Sequence, residues 1–228
     1  MSTRVRDGLT REDRSLVSAT LSSYARGWFP MFDPDTEVVH WVQPRRRGVI
    51  PLEHEQFVIS RSLRSVVRSG RFRVTSDLAF GEVVRECAAP GAGQRAETWL
   101  CPEIIELFEL MHHAGYAHSV EAWVDGDAGP ELVGGLYGLV VGTVFCGESM
   151  FARPERGGSN ASKVCLVHLV EHLRQQRFTM LDAQLSNPHL AQFGCYEIDQ
   201  GEYAERLFRA ASQVREWGVF GSQRITIP

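Results

Sequence analysis

Two short stretches carry side chains whose types and spacing could do chemistry. In 142-GTVFCGESMFAR-153 an apolar run, Val144-Phe145-Cys146, leads into Glu148 and then returns to Met150-Phe151. In 181-LDAQ-184, Asp182 and Gln184 stand two apart, so both face one side if the strand continues. An acid beside an amide could orient a nucleophilic amine and hold a developing oxyanion or ammonium. The same spacing equally suits two residues that cap the following helix. Gly134, Gly135, Gly138, Gly142 and Gly147 thin the chain around Glu148. Glycine in a strand often marks close approach by another backbone or a ligand. With Leu136, Phe145 and Met150 nearby, the pattern is an apolar cleft holding one acid, suited to an apolar group that carries a cation. The purpose of Glu148 stays open at this level.

Other chemistry is excluded by spacing. Gly147-Glu148-Ser149 is half a nucleophile elbow, without the second glycine or a helix after the serine. Gly134-Gly135-Leu136-Tyr137-Gly138 lies within a strand and is no phosphate loop. In 153-RPERGGSNAS-162 neither glycine has Arg or Gln three positions before it, so the coenzyme A fingerprint Q/R-x-x-G-x-G/A is missing. The five cysteines are scattered, never C-x-x-C, and sit mostly in apolar runs, as reduced packed thiols do. No metal site is expected. One basic feature stands out in a chain of net charge −4: 60-SRSLRSVVRSGRFR-73 carries Arg61, Arg64, Arg68, Arg71 and Arg73 with no acid. A solvated helix face is the plain alternative, but uncompensated arginines favour a phosphate-binding surface.

The elements that must position these residues follow from periodicity. Thr10 to Asp13 reads as a capping box, opening a helix that ends near Gly27. An extended segment, Glu37 to Val42, is closed by Pro44 and the arginines 45–47. A boundary in the low fifties divides a small N-terminal α/β domain, 1–52, from a larger domain, 53–228. The larger part reads as strand Phe72–Thr75, helix Leu78–Cys87, a flexible loop, and a helix from Pro102 to Gly115. Three strands follow, Ala117–Val124, Glu131–Val140 and Thr143–Phe151. Asn160 is expected to cap a long helix with Leu166 on its apolar face. Then come strand Phe178–Leu181, a short helix from Asn187-Pro188, an extended Cys195–Ile198, and a helix from Glu202. This order is that of an α+β sheet domain of the acetyltransferase-like (GNAT) kind. Neither a membrane span nor a secretory h-region is present in the sequence, so a cytoplasmic protein is expected.

The residues also resemble a family. RGWFPMF (26–32), SRSLR (60–64), ETWL (97–100), GYAHSVEAW (115–123), LVGGLYG (132–138), FCGESMF (145–151), NASK (160–163) and LDAQ (181–184) occur in the order found in leucyl/phenylalanyl-tRNA–protein transferases. The resemblance implies transfer of Leu, Phe or Met from aminoacyl-tRNA to proteins beginning with Arg or Lys, marking them for N-end rule degradation. It implies no coenzyme or metal, because the tRNA ester is already activated, and a monomer. Asp182 and Gln184 match the catalytic D-x-Q pair. Glu148 matches the pocket glutamate, with Leu136, Phe145, Leu166 and Leu181 around the aminoacyl side chain. Trp99 matches the tryptophan that meets the 3′-terminal adenosine, where stacking is worth about 1–3 kcal/mol, with Met31 and Phe108 beside it. Phe108 departs from a usual tyrosine, and Ala183 from a usual cysteine. The arginine segment would hold acceptor-stem phosphates. Two competing readings are a coenzyme A-dependent acetyltransferase and a tRNA-binding module without catalysis.

Overall fold

The computed structural model describes residues 8–89, 100–127 and 129–221. Helix α1 (Arg11–Tyr24) opens on a reciprocal cap. The Thr10 hydroxyl accepts from the Asp13 N–H at 3.1 Å, and the Asp13 carboxylate accepts the Thr10 N–H at 2.9 Å. Val17, Thr20 and Tyr24 recur on its buried stripe, which therefore ends on Tyr24. A hairpin follows, β1 (Phe29–Asp33) against β2 (Val38–Val42). The next strand, β3 (Arg46–Ile50), leaves the hairpin for the main sheet. The chain thus enters that sheet before residue 52, and a boundary in the low fifties would separate β3 from the strands it bonds.

Among the described residues the main sheet has seven strands: β3, β4 (Arg73–Ser76), β5 (Ala117–Gly126), β6 (Gly129–Val141), β7 (Val144–Ala152), β8 (Met180–Gln184) and β9 (Tyr196–Asp199). Their order is β4-β5-β6-β7-β8-β3-β9. Among the described residues only the β7–β8 pair is parallel, joined by a crossover through helix α5 (Ala161–Gln175). The fold is accordingly α+β with a mixed sheet, as the order of elements implies. One face is covered by α1, α3 (Phe80–Ala88), α4 (Pro102–His113) and α7 (Gln200–Ala211), with Val83, Ile104, Phe108 and Leu207 in its core. The other is covered by α2 (Arg61–Arg68) and α5, with Leu63, Leu166, Val170 and Trp217. Full burial of each aliphatic side chain contributes about 1.5–3 kcal/mol. A one-turn helix, α6 (Pro188–Ala191), follows β8.

Several local expectations change. The strand expected at Phe178–Leu181 lies at Met180–Gln184, which puts Asp182 and Gln184 on the strand itself. Asn160 does not cap α5 through its side chain; its backbone is left-handed at φ 69°. The turn closes instead through the Ala161 N–H on the Gly158 carbonyl at 2.9 Å. Strand β3 escapes periodicity because its first residues continue an arginine run that resembles a solvated turn. Glycines 134 and 138 answer to packing. A Cβ on Gly134 would collide with Ala161 at the start of α5, and one on Gly138 with the Phe145 ring and the Cys146 carbonyl. Among the described residues no helix is long and apolar enough to cross a membrane.

Candidate active site

Strands β7 and β8 pair only at Val144↔Met180, Phe145↔Leu181 and Cys146↔Asp182, and then part. Two bulges shape the opening. On β7, Gly147 pairs with Gly138 and Ser149 with Tyr137, so Glu148 is the extra residue. On β8, Asp182 pairs with Val49 and Gln184 with Gly48, so Ala183 is the extra residue. A bulge bends its strand and re-aims the neighbouring side chains. The outcome is a meeting across the gap: the Gln184 Nε2 donates to Glu148 Oε2 at 2.8 Å.

A cavity of about 990 Å³ opens at this split, walled by Ile50, Leu136, Leu166, Leu169 and Leu181 with Glu148, Asp182 and Gln184 among its polar residues. Met31 from β1 and Lys163 from α5 also line it. Glu148 is 9% exposed and receives a second bond, from the Tyr24 hydroxyl at 2.9 Å. Burial pushes its carboxyl up from 4.5 to about 8, although the Gln184 and Tyr24 donors pull the other way. The group is therefore poised between acid and base near neutrality. The amide oxygen of Gln184 has no hydrogen-bond donor among the described residues and stands as a free acceptor in the cavity wall.

Behind it, Asp182 has no exposed surface. Arg47 meets it with two nitrogens, Nε to Oδ1 at 2.8 Å and Nη2 to Oδ2 at 2.6 Å. The Tyr203 hydroxyl donates to Oδ2 at 2.8 Å, and the Gln184 N–H to Oδ1 at 2.8 Å. Burial opposes the charge of Arg47, yet the facing carboxylate more than offsets this and raises its pKa. Gln184 itself is left-handed at φ 60°, a conformation costing a non-glycine residue about 1–3 kcal/mol.

Among the described residues, those singled out in the sequence fall into three groups. Glu148, Leu136, Leu166, Leu181, Asp182, Gln184 and Met31 line the cavity. Phe145 does not; it is fully buried one layer below, its ring 5.3 Å from that of Trp217. Phe108 requires a correction as a nucleoside contact, because it has no exposed surface and packs edge-on against Tyr137 at 5.1 Å. Trp99 lies outside the described residues. Arg61, Arg64 and Arg68 line an open groove of about 590 Å³ along α2. Arg71 and Arg73 depart from that row: Arg71 donates to the Gly157 carbonyl, and Arg73 lies 5.4 Å from the Trp123 ring centroid. Sequence reasoning missed Tyr24, Arg47 and Tyr203. Tyr24 could have been found as the last residue of a buried helical stripe; Arg47 and Tyr203 carry no local signal.

Residues 49–208 match the family described as leucyl/phenylalanyl-tRNA protein transferase, and residues 17–45 match the N-terminal domain of the same family. The chain belongs to this family. The leucyl/phenylalanyl-tRNA–protein transferase of Chlorobaculum parvum is 47% identical over 197 residues, 86% of this chain and 96% of its own. That of Rhizorhabdus wittichii is 46% identical over 202 residues, 88% of this chain and 77% of its own. The crystal structure of FemX is similar in fold, at a TM-score of 0.55 and 11% identity, over 76% of this chain and 63% of the FemX chain. Tyr24 falls in the N-terminal match and Glu148, Asp182, Gln184 and Tyr203 in the main one, while Arg47 lies in the short gap between the two.

Proposed function

We propose that this chain transfers a leucyl, phenylalanyl or methionyl group from aminoacyl-tRNA to the α-amino group of proteins that begin with Arg or Lys, on a GNAT-like scaffold. The observation that carries the reading is the apolar cavity whose rim holds Glu148 bonded to Gln184. An apolar side chain fits the leucine-lined wall, where its burial contributes about 1.5–3 kcal/mol.

In the reaction the acceptor amine attacks the ester carbonyl carbon, forming a C–N bond. The C–O bond to the terminal ribose then breaks, and the ribose hydroxyl takes a proton. The amine must shed a proton on the way. The carboxyl of Glu148, at about 8, is matched to an α-amino group of ordinary pKa near 7.7–8.0, so the transfer between them is nearly level. The amide oxygen of Gln184 is placed to accept the remaining amine N–H, its nitrogen being held by Glu148. The ester is already activated, so the chemistry calls on no coenzyme. The α2 groove supplies a cationic surface for tRNA phosphates. The chain would act as a cytoplasmic monomer in N-end rule degradation.

A coenzyme A-dependent acetyltransferase is disfavoured by the loop ahead of α5. Its N–H groups are turned inward, Gly157 to the Pro154 carbonyl at 3.1 Å and Gly158 to the Arg153 carbonyl at 2.8 Å. A pyrophosphate site needs such donors facing the ligand. The test is transfer of labelled leucine from charged tRNA to a peptide beginning with arginine. No incorporation beside a working control would sink the reading, and saturable acetyl-CoA binding would favour the alternative.

A further inference from the structure

The cavity wall presents Glu148 and Gln184, but the least exposed polar contacts lie behind them. The Arg47 side chain is 2% exposed and that of Asp182 0%. The guanidinium carbon lies over two rings, 4.7 Å from the Phe29 centroid and 4.5 Å from the Tyr203 centroid. Its third nitrogen, Nη1, donates to the Gly27 carbonyl at 3.1 Å. The cation thus packs against two rings and is hydrogen-bonded at every nitrogen.

The carboxylate it grips is also the acceptor for the backbone N–H of Gln184. That N–H belongs to the left-handed residue that follows the β8 bulge. The strand carrying Arg47 also makes room for the turn, since a Cβ on Gly48 would meet the Ser186 nitrogen at 2.9 Å. A strained backbone persists only where its surroundings over-determine it.

We propose that Arg47, with Tyr203, is a positioning residue for aminoacyl transfer: through Asp182 it locks the Gln184 turn and so aims the Gln184 amide at Glu148 and the reacting amine. This rests on the transferase reading for its link to turnover. Arg47 acts through Asp182, and Asp182 through the Gln184 backbone. Lysine at position 47 would keep the charge but could not hold both carboxylate oxygens in one planar fork.

The experiment compares wild type, Arg47→Lys, Tyr203→Phe, Gln184→Ala, and each of the first two variants combined with Gln184→Ala. Leucine transfer to an arginine-initiated peptide gives kcat and KM; backbone hydrogen exchange gives the protection of the Gln184 N–H. Arg47→Lys is expected to lower kcat about 10²-fold, the scale of an ångström of misplacement, with both KM values near wild type. Tyr203→Phe removes one hydroxyl and should lower kcat less. Neither change should add to the loss in Gln184→Ala, because residues acting as one unit are not additive. Both single variants should exchange the Gln184 N–H faster, while the amides of β5 and β6 keep their protection.

Losses that multiply in the double variants, or a raised KM with kcat retained, would overturn the proposal. So would unchanged Gln184 protection. If Arg47→Lys does not fold, Tyr203→Phe decides, since it keeps both the ring and the ion pair. If the wild type transfers nothing, the transferase reading falls, and the exchange result still judges the locked turn by itself.

Discussion

Gln184 and Glu148, 36 positions apart in the chain, join side chains at 2.8 Å across the gap where two parallel strands separate. The contact sits in a site dry enough to push the Glu148 carboxyl to about 8. The sign of the stability effect follows from proton counts. Below about pH 4.5 both folded and unfolded chains hold this proton; between there and about 8 only the folded chain does. Folding stability contributed by this group is therefore greatest at low pH and falls as pH rises to about 8. Glu148→Gln should abolish that slope in denaturant titrations across the range. Turnover should drop about 10²–10⁴-fold with loss of the proton acceptor. Retention of the wild-type slope in Glu148→Gln would contradict a proton on this residue.

The Tyr24 hydroxyl stabilises the charged form of Glu148, so Tyr24→Phe should move the carboxyl higher still. The break in the stability–pH curve is expected at more alkaline pH than in wild type. An acid shift of that break would show that the hydroxyl bonds the neutral form.

Gln184→Ala removes the free amide oxygen and the bond to Glu148 while leaving the leucine wall intact. We expect turnover to fall much more than tRNA affinity, read by single-turnover transfer beside equilibrium binding. Equal losses in both would place Gln184 in tRNA binding instead.

Replacing Arg61, Arg64 and Arg68 together by serine should weaken tRNA binding and flatten its salt dependence. The slope of log K against log salt should fall by about 0.7–0.9 for each phosphate that is no longer neutralised. Binding measured across salt concentrations checks this, and an unchanged slope would move the tRNA path off the α2 groove.

Trp217 lies beyond the matched family segment, yet it plugs one face of the core. Its ring stacks on His118 at 4.5 Å, its Nε1 donates to the Ser76 hydroxyl at 3.0 Å, and its carbonyl bonds His172 Nε2 at 2.8 Å. Trp217→Ala should cost about 3–5 kcal/mol, which lowers Tm by roughly 6–20 °C in a chain this size. A melting temperature unchanged from wild type would mean that the segment is not docked in solution.

Much of this was legible in the chain itself. The 3.6-residue stripe of α1, the Pro102 start of α4, the three antiparallel strands and the long α5 follow from local rules, because capping and burial periodicity act within a few residues. Glu148, Asp182 and Gln184 announced themselves as polar groups in apolar surroundings, and their neighbours carried the family resemblance. Phe108 shows the limit of such reading. A position can align with a family site and still lie wholly inside the core, because exposure depends on what packs over it.

The sequence by itself determined which elements form, which residue types are available for chemistry, and which family the chain resembles. Tertiary structure alone decided that β3 enters the main sheet and carries Arg47 to Asp182, that two bulges turn Glu148 and Gln184 toward each other, and that Phe145 lies beneath the cavity rather than in its wall. The reason is physical. Strand pairing between distant segments, the register at a bulge, and the desolvation that shifts a carboxyl to about 8 are properties of the assembled chain. None of them is encoded in any one stretch of neighbours.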